Sequence, residues 1–131
     1  AVLDTRAIPE TNLFVCTFSS CHDRPWGALA IVDRELGLDG KEPVVRTWPA
    51  SAIDLVGKGN YDTFKRVQPK YEDPYPLSST LLLCSRMVGQ GEQTGIFCID
   101  LFGIRYDGDR VVAAVYDKCH DRFVFQEARV P

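Results

Sequence analysis

The feature of this sequence that most constrains its fold is an internal repeat. The strings "LFVCTF" and "ALAIVD" in the first part of the chain correspond to "LLLCSR" and "GIFCID" in the second part. Cys16 matches Cys84 at an offset of 68 residues, and Asp33 matches Asp100 at an offset of 67 residues. Two units of strand, loop, strand and terminal Asp therefore recur almost in register, which indicates that one supersecondary unit has been used twice.

Short runs rich in β-branched and aromatic residues occur along the whole chain and are separated by turn residues, which is typical of strands. No long window keeps a helical period of about 3.6 residues, and "YDTFKRV" from Tyr61 is the best remaining helical stretch. The sequence therefore predicts an all-β, antiparallel fold. The predicted strands are "NLFVCTFSS", "GALAIVD", "PVVRTW", "STLLLCSRM", "TGIFCIDLFG", "RVVAAVYD" and "RFVFQEARV".

Two connections can also be predicted. Asp107-Gly108 lies between strand-forming runs on both sides, which predicts a tight hairpin. The stretch from Trp48 to Tyr75 holds several Pro and Gly residues and few alternating apolar ones, so we expect one long loop excursion between β units.

Length, composition and charge limit the classes of protein to which this chain can belong. The 131 residues fit one domain, and 45% hydrophobic and 25% charged residues are close to the average of globular domains. The net charge is -3 and no run of Lys and Arg could follow a phosphate backbone, so we expect no nucleic-acid partner. The longest apolar runs fall short of the roughly 20 residues of a membrane-spanning helix. No charged-then-apolar leader is present, so we expect a signal peptide to be absent or already removed.

The strings "DPYPLSSTLLLCSR…TGIFCIDLFG" and "CTFSSCHDRPWGALAIVDRELG" resemble blades of TolB-like and WD-repeat-like β-propellers. They look most like the middle propeller region of hydrazine synthase alpha subunits and their relatives among large exported bacterial proteins. The resemblance implies antiparallel β-propeller-type blades in a partial propeller of two to three blades. It also implies that residues 1–131 form one module of a larger periplasmic or secreted protein, with repeat units at about residues 12–37 and 72–103.

Cys16, Cys21 and His22 match a rarer spacing of the covalent haem c attachment motif, in which two thiols precede a ligating His. The repeat favours a different interpretation. Cys16 aligns with Cys84, which continues a strand and has no His after it, so Cys16 is also interpreted as a small buried hydrophobic residue.

The string "CHDR" occurs twice and contains both histidines of the chain. If the copies face each other, Cys21, His22, Cys119 and His120 could bind zinc, with each neighbouring Asp holding a ring N–H. A disulfide between Cys21 and Cys119 fits the same proximity in an exported protein. A third interpretation takes both copies as loop residues, with Asp capping the turn.

The function that we expect is binding or scaffolding, without catalytic activity of the chain on its own. The loop residues His22, Asp23, Arg24 and Trp26 would contact a partner protein, a ligand or a cofactor in a neighbouring domain of the same polypeptide. The competing hypothesis is a redox subunit that holds haem or zinc through the Cys-His-Asp-Arg loops. The remaining aromatic residues near the excursion are interpreted as loop anchors rather than as a binding surface, namely Trp48, Tyr71 and Tyr75.

Overall fold

The computed structural model describes the backbone of residues 1–107, 110–117 and 122–127, and the side chains of residues 1–101. These residues form one antiparallel sheet with two short 3₁₀ helices, Ala50–Leu55 and Thr63–Arg66. The predicted all-β, antiparallel fold is confirmed. The strands are β1 (Val2–Ala7), β2 (Leu13–Ser19), β3 (Gly27–Asp33), β4 (Val44–Trp48), β5 (Tyr71–Pro76), β6 (Leu81–Met87), β7 (Thr94–Asp107), β8 (Arg110–Asp117) and β9 (Arg122–Glu127).

The strands form two meanders in sequence order. The first meander runs from β1 to β4 and the second from β5 to β9, with each strand paired to the next. The meanders join where β3 meets β5, through the single residue pair Gly27 and Tyr71, which we call the seam. Strand β5 also contacts β1 and β2, so the second meander packs against the first near the seam.

Gly27 is required at this seam by close packing. A Cβ atom at residue 27 would overlap the backbone carbonyl oxygen of Phe18, which lies on the paired strand β2. Because the atom in the way belongs to the backbone, a side chain can be accommodated only if the strands move apart.

The sequence repeat has a structural counterpart in the pairing register. In the first unit Leu13 pairs with Asp33, and in the second unit Leu81 pairs with Asp100. The matched cysteines also occupy equivalent positions in the middle of β2 and β6, and both are buried. The two β2–β3 and β6–β7 hairpins are therefore built on the same register.

The equivalent faces of the two hairpins are covered differently. Cys84 lies in a cluster shared by both meanders, together with Val15, Leu29, Tyr71 and Phe97. Cys16 lies in a separate cluster, which contains Phe18, Ala30, Val44 and, from the second 3₁₀ helix, Phe64. In the first unit, this face of the hairpin is therefore covered by the excursion between β4 and β5. In the second unit, the equivalent face is covered by the first meander.

Two boundaries differ from the prediction. The excursion ends at residue 70, because Tyr71–Pro76 forms strand β5 and not part of the loop. The pairing of β5 with β6 is irregular between Glu72 and Tyr75, where Asp73 has a φ of 53°. In the segment around Tyr61, only Thr63–Arg66 is helical, as one 3₁₀ turn. The hairpin predicted at residues 107 and 108 is supported by the pairing of Asp107 with Arg110; residue 108 itself lies outside the described residues.

Neither helix in the described part of the chain has the length and apolar character that a membrane crossing requires.

Candidate functional site

The loop between β2 and β3, residues 20–26, lies against the excursion between β4 and β5. The backbone N–H of Cys21 donates to the carbonyl oxygen of Tyr61 at 2.9 Å. The backbone N–H of His22 donates to Asp62 Oδ1 at 3.2 Å. These contacts give the two segments one common surface, formed by Cys21, His22, Tyr61 and Asp62, which we call the presented face.

His22 and Asp62 are held together by several hydrogen bonds. His22 Nδ1 lies 3.1 Å from Asp62 Oδ1 and 2.9 Å from Oδ2. Because a carboxylate only accepts hydrogen bonds, Nδ1 carries the proton and Nε2 is the unprotonated nitrogen of the neutral ring. The hydrogen bond from His22 holds the pKa of Asp62 below its usual value, and nearby Lys65 lowers it further. The His22 side chain remains 72% exposed, so its ring is oriented yet accessible.

Beneath the presented face, Arg24 connects the 20–26 loop to the second meander. Its Nη2 lies 2.7 Å from Glu72 Oε1 on β5, and its Nε lies 3.4 Å from Oε2, so the guanidinium contacts both carboxylate oxygens. Its Nη1 donates to the backbone carbonyl of Glu92 at 3.4 Å, in the connection between β6 and β7. The Glu72 side chain is only 8% exposed, which makes this a largely desolvated ion pair.

Lys70 connects the excursion to the same loop. Its Nζ donates to three backbone carbonyls at the end of the second 3₁₀ helix, those of Phe64, Lys65 and Val67, at 3.3, 2.7 and 3.2 Å. The same Nζ lies 3.4 Å from Asp23 Oδ2. Lys70 is therefore a buried cation that caps a helix end and pairs with the loop, and its bonds account for its burial.

Trp26 fills the space between these two cations. The Arg24 guanidinium lies 5.0 Å from the centre of the Trp26 ring, and Lys70 Nζ lies 6.0 Å from it. Both distances fit cation–π contact. Trp26 is buried, and its Nε1 has no hydrogen-bond partner among the described residues. Trp26 therefore anchors the loop from below instead of contributing to the presented face.

The four residues predicted to bind a partner thus have different positions. His22 lies on the presented face, and Asp23, Arg24 and Trp26 lie beneath it as anchors. In the zinc hypothesis Asp23 would hold a ring N–H of His22, but the carboxylate that does so belongs to Asp62. Asp23 Oδ1 accepts instead from the backbone N–H of Arg24 at 2.9 Å.

The predicted haem and zinc residues are not all brought together. Cys16 is buried within β2, and burial raises the pKa of its thiol to about 11, whereas Cys21 is exposed. Attachment of haem at Cys16 would first require the surrounding cluster to open. Cys119 and His120, needed for the zinc site and for the disulfide to Cys21, lie outside the described residues. Within the part that is described, no three His, Cys, Asp or Glu side chains are grouped as metal ligands.

Sequence reasoning missed the roles of Asp62, Lys70 and Glu72. A signal exists for Asp62, because "NYDT" is a turn-forming string in which the Asn60 side chain accepts from the Asp62 backbone N–H at 2.9 Å. No comparable signal marks Lys70, since a lone lysine ordinarily indicates an exposed position.

No protein-family model matches the chain, and no significant match is found among curated proteins or solved structures.

Proposed function

We propose that the chain is a β-propeller-type binding module, part of a larger exported protein that resembles hydrazine synthase alpha subunits. Its role is to hold the presented face, Cys21, His22, Tyr61 and Asp62, in a fixed geometry for a protein partner or a neighbouring domain of the same polypeptide. The chain makes contacts and performs no bond-making chemistry of its own.

The arrangement of strands supports the propeller part of this proposal. Propellers repeat small antiparallel sheets of about four strands around a channel. Here the β2–β3 and β6–β7 hairpins of two consecutive meanders share one register, and the first strand of the second meander contacts β1 and β2 of the first. This relationship is the one expected between successive blades.

One observation carries the binding part of the proposal: an exposed pair, His22 and Asp62, stands on buried ionic anchors. The Arg24–Glu72 and Lys70–Asp23 pairs hold the loop and the excursion from beneath, where solvent is largely excluded. A surface that is rigid before binding loses less conformational entropy when a partner docks. A buried ion pair adds little net stability, because both charges must first be removed from water. Ion pairs beneath this loop are therefore better explained by a need to fix the geometry of the loop for binding.

The proposal is tested by placing a photo-crosslinking amino acid at residue 22, 61 or 38 of the full-length protein in its source cells. Leu38 is a matched control, because it is 83% exposed, compared with 78% for Tyr61, and lies outside the presented face. We expect crosslinking from residues 22 and 61 to the same partner segment and none from residue 38. Equal or absent crosslinking from all three positions would contradict the proposal.

A second candidate, zinc binding, is favoured by the geometry of His22. A carboxylate that accepts from one ring nitrogen while the other nitrogen faces solvent is the usual environment of a metal-binding His. Cys21 and His22 would then act with Cys119 and His120. Metal analysis after dialysis tests this: zinc near one equivalent, lost in His22→Ala, would support it, and a metal-free protein would exclude it.

A further inference from the structure

Basic side chains that make no ion pair, hydrogen bond or aromatic contact are concentrated in one part of the excursion. Elsewhere in residues 1–101, every basic side chain except Arg34 has a carboxylate, carbonyl or aromatic partner, as Lys41 has in Asp54 and Arg46 has in Trp48. Four basic residues form no ion pair, side-chain hydrogen bond or aromatic contact with the described residues. These are Arg34, Lys58, Lys65 and Arg66.

Three of these four residues line one cavity. Lys58, Lys65 and Arg66 surround an open cavity of about 690 Å³, between the first 3₁₀ helix and the loop that carries Tyr61. This volume lies within the range of small-molecule sites, roughly 300 to 1,000 Å³. In a chain of net charge -3, such a grouping of unpaired cations is not explained by overall composition.

The single carboxylate in the lining offsets only part of this positive charge, because Asp62, whose pKa is lowered in part by Lys65, is one anion against three cations. Its two oxygens also accept from His22, which donates one Nδ1–H shared between them and one backbone N–H. Among the other polar lining groups, the side chains of Asn60 and Tyr61 carry N–H and O–H groups, whereas the Thr63 hydroxyl already donates to the Asn60 carbonyl oxygen at 3.1 Å. The cavity therefore offers an excess of positive charge and hydrogen-bond donors.

We propose that this cavity binds a small anion that carries at least two phosphate or carboxylate groups. Three cations on separate side chains match more than one anionic group, and Arg66 can contact two oxygens of one group at once. An apolar ligand would leave the three cations of the lining without partners, whereas an anion would pair with them. The cavity shares Tyr61 and Asp62 with the presented face, but its three cations, Lys58, Lys65 and Arg66, lie outside that face and define a different kind of ligand.

Titration calorimetry of the full-length protein at low ionic strength tests the proposal, with pyrophosphate and citrate as probes. We expect saturable binding with one site per chain, weakened by added salt because exposed charges are screened. A tighter Kd for pyrophosphate assigns a phosphate ligand, and a tighter Kd for citrate assigns a carboxylate ligand. The absence of saturable binding of either probe would overturn the proposal.

Matched charge variants locate the site. In Lys65→Gln/Arg66→Gln we expect Kd to rise by about tenfold or more, because charge-assisted hydrogen bonds are lost. The control is Arg34→Gln, which removes the fourth unpaired cation but does not line the cavity, and its Kd should equal that of the wild type. An equal loss in the control would show non-specific attraction and contradict the site. His22 does not line the cavity, and Lys65 and Arg66 lie outside the presented face. Crosslinking at residue 22 and anion binding in Lys65→Gln/Arg66→Gln therefore test the two proposals separately.

Discussion

Arg24 in the first meander and Glu72 in the second form an ion pair across the seam, with Nη2 and Oε1 2.7 Å apart. The two residues are 48 positions apart in the chain. Strands β3 and β5 share only one residue pair at this place, so the side-chain contact supplements a short backbone connection. The same pair fixes the lower end of the loop that carries His22, and it therefore connects the fold to the presented face.

Breaking this pair should be more costly than breaking an exposed one. Arg24→Met leaves the Glu72 carboxylate buried without its counter-ion, and we expect a loss of about 3 kcal/mol in the free energy of unfolding. Glu72→Gln should cost less, about 1 to 2 kcal/mol, because the partly exposed guanidinium can turn toward water. Urea denaturation measures both. The control is Lys41→Gln, which breaks the exposed pair with Asp54 and should cost less than about 0.5 kcal/mol. Similar losses in the free energy of unfolding for all three variants would contradict the account.

The pKa of Asp62 should depend on His22. Because the hydrogen bond from His22 lowers the folded-state pKa of Asp62, the interaction stabilises the fold above the usual pKa of Asp, and this contribution is lost as pH falls through the lowered value. Carboxyl ¹³C NMR titration should show the pKa of Asp62 rising in His22→Ala, and rising less in Lys65→Gln. If the titration curve of Asp62 is the same in His22→Ala as in the wild type, the hydrogen bond does not form in solution.

The cysteines should differ strongly in reactivity. Cys21 is exposed, whereas burial raises the pKa of Cys16 to about 11 and that of Cys84 to about 12. Since the thiolate is the reactive form, alkylation by iodoacetamide at mildly alkaline pH should be about 100-fold or more faster at Cys21. Peptide mass spectrometry measures each rate, and the rates should converge in urea. Rapid modification of Cys16 in the folded protein would show that β2 is not packed as described.

Gly27 should tolerate no side chain. In Gly27→Ala the new Cβ meets the carbonyl oxygen of Phe18, and separating β2 from β3 at the seam should cost about 2 kcal/mol of stability by thermal unfolding. Gly37→Ala is the matched comparison. There the nearest atoms, in Glu42 and Pro43, lie at 3.1 to 3.4 Å, so a new Cβ makes a tight contact instead of an overlap, and the cost should be smaller. An unchanged stability of Gly27→Ala would contradict the close approach.

The repeat and seven of the nine described strands could be predicted from the sequence, because alternation and turn residues are local signals, whereas strand β1 was not predicted. Strand β5 could not be predicted, because Pro74 is a turn residue and the backbone of Asp73 has a positive φ, which is typical of loops. Only its pairing with β6 makes this segment a strand. The site was predicted in part. The exposed position of His22 follows from its loop, whereas its partner Asp62 lies 40 residues away and is brought near by the packing of the excursion.

The central claim is that buried ionic anchors hold the presented face in one geometry, and amide hydrogen exchange tests it most directly. The N–H groups of Cys21 and His22 donate to Tyr61 and Asp62, so they should be protected in the wild type. In Arg24→Met we expect their exchange to accelerate by about tenfold or more and to be insensitive to low concentrations of urea, which marks local opening. The amides of the β6–β7 hairpin, in contrast, should change only with the global free energy of unfolding. If Cys21 and His22 keep wild-type protection in this variant, or have none in the wild type, the anchors do not hold the face and the account is contradicted.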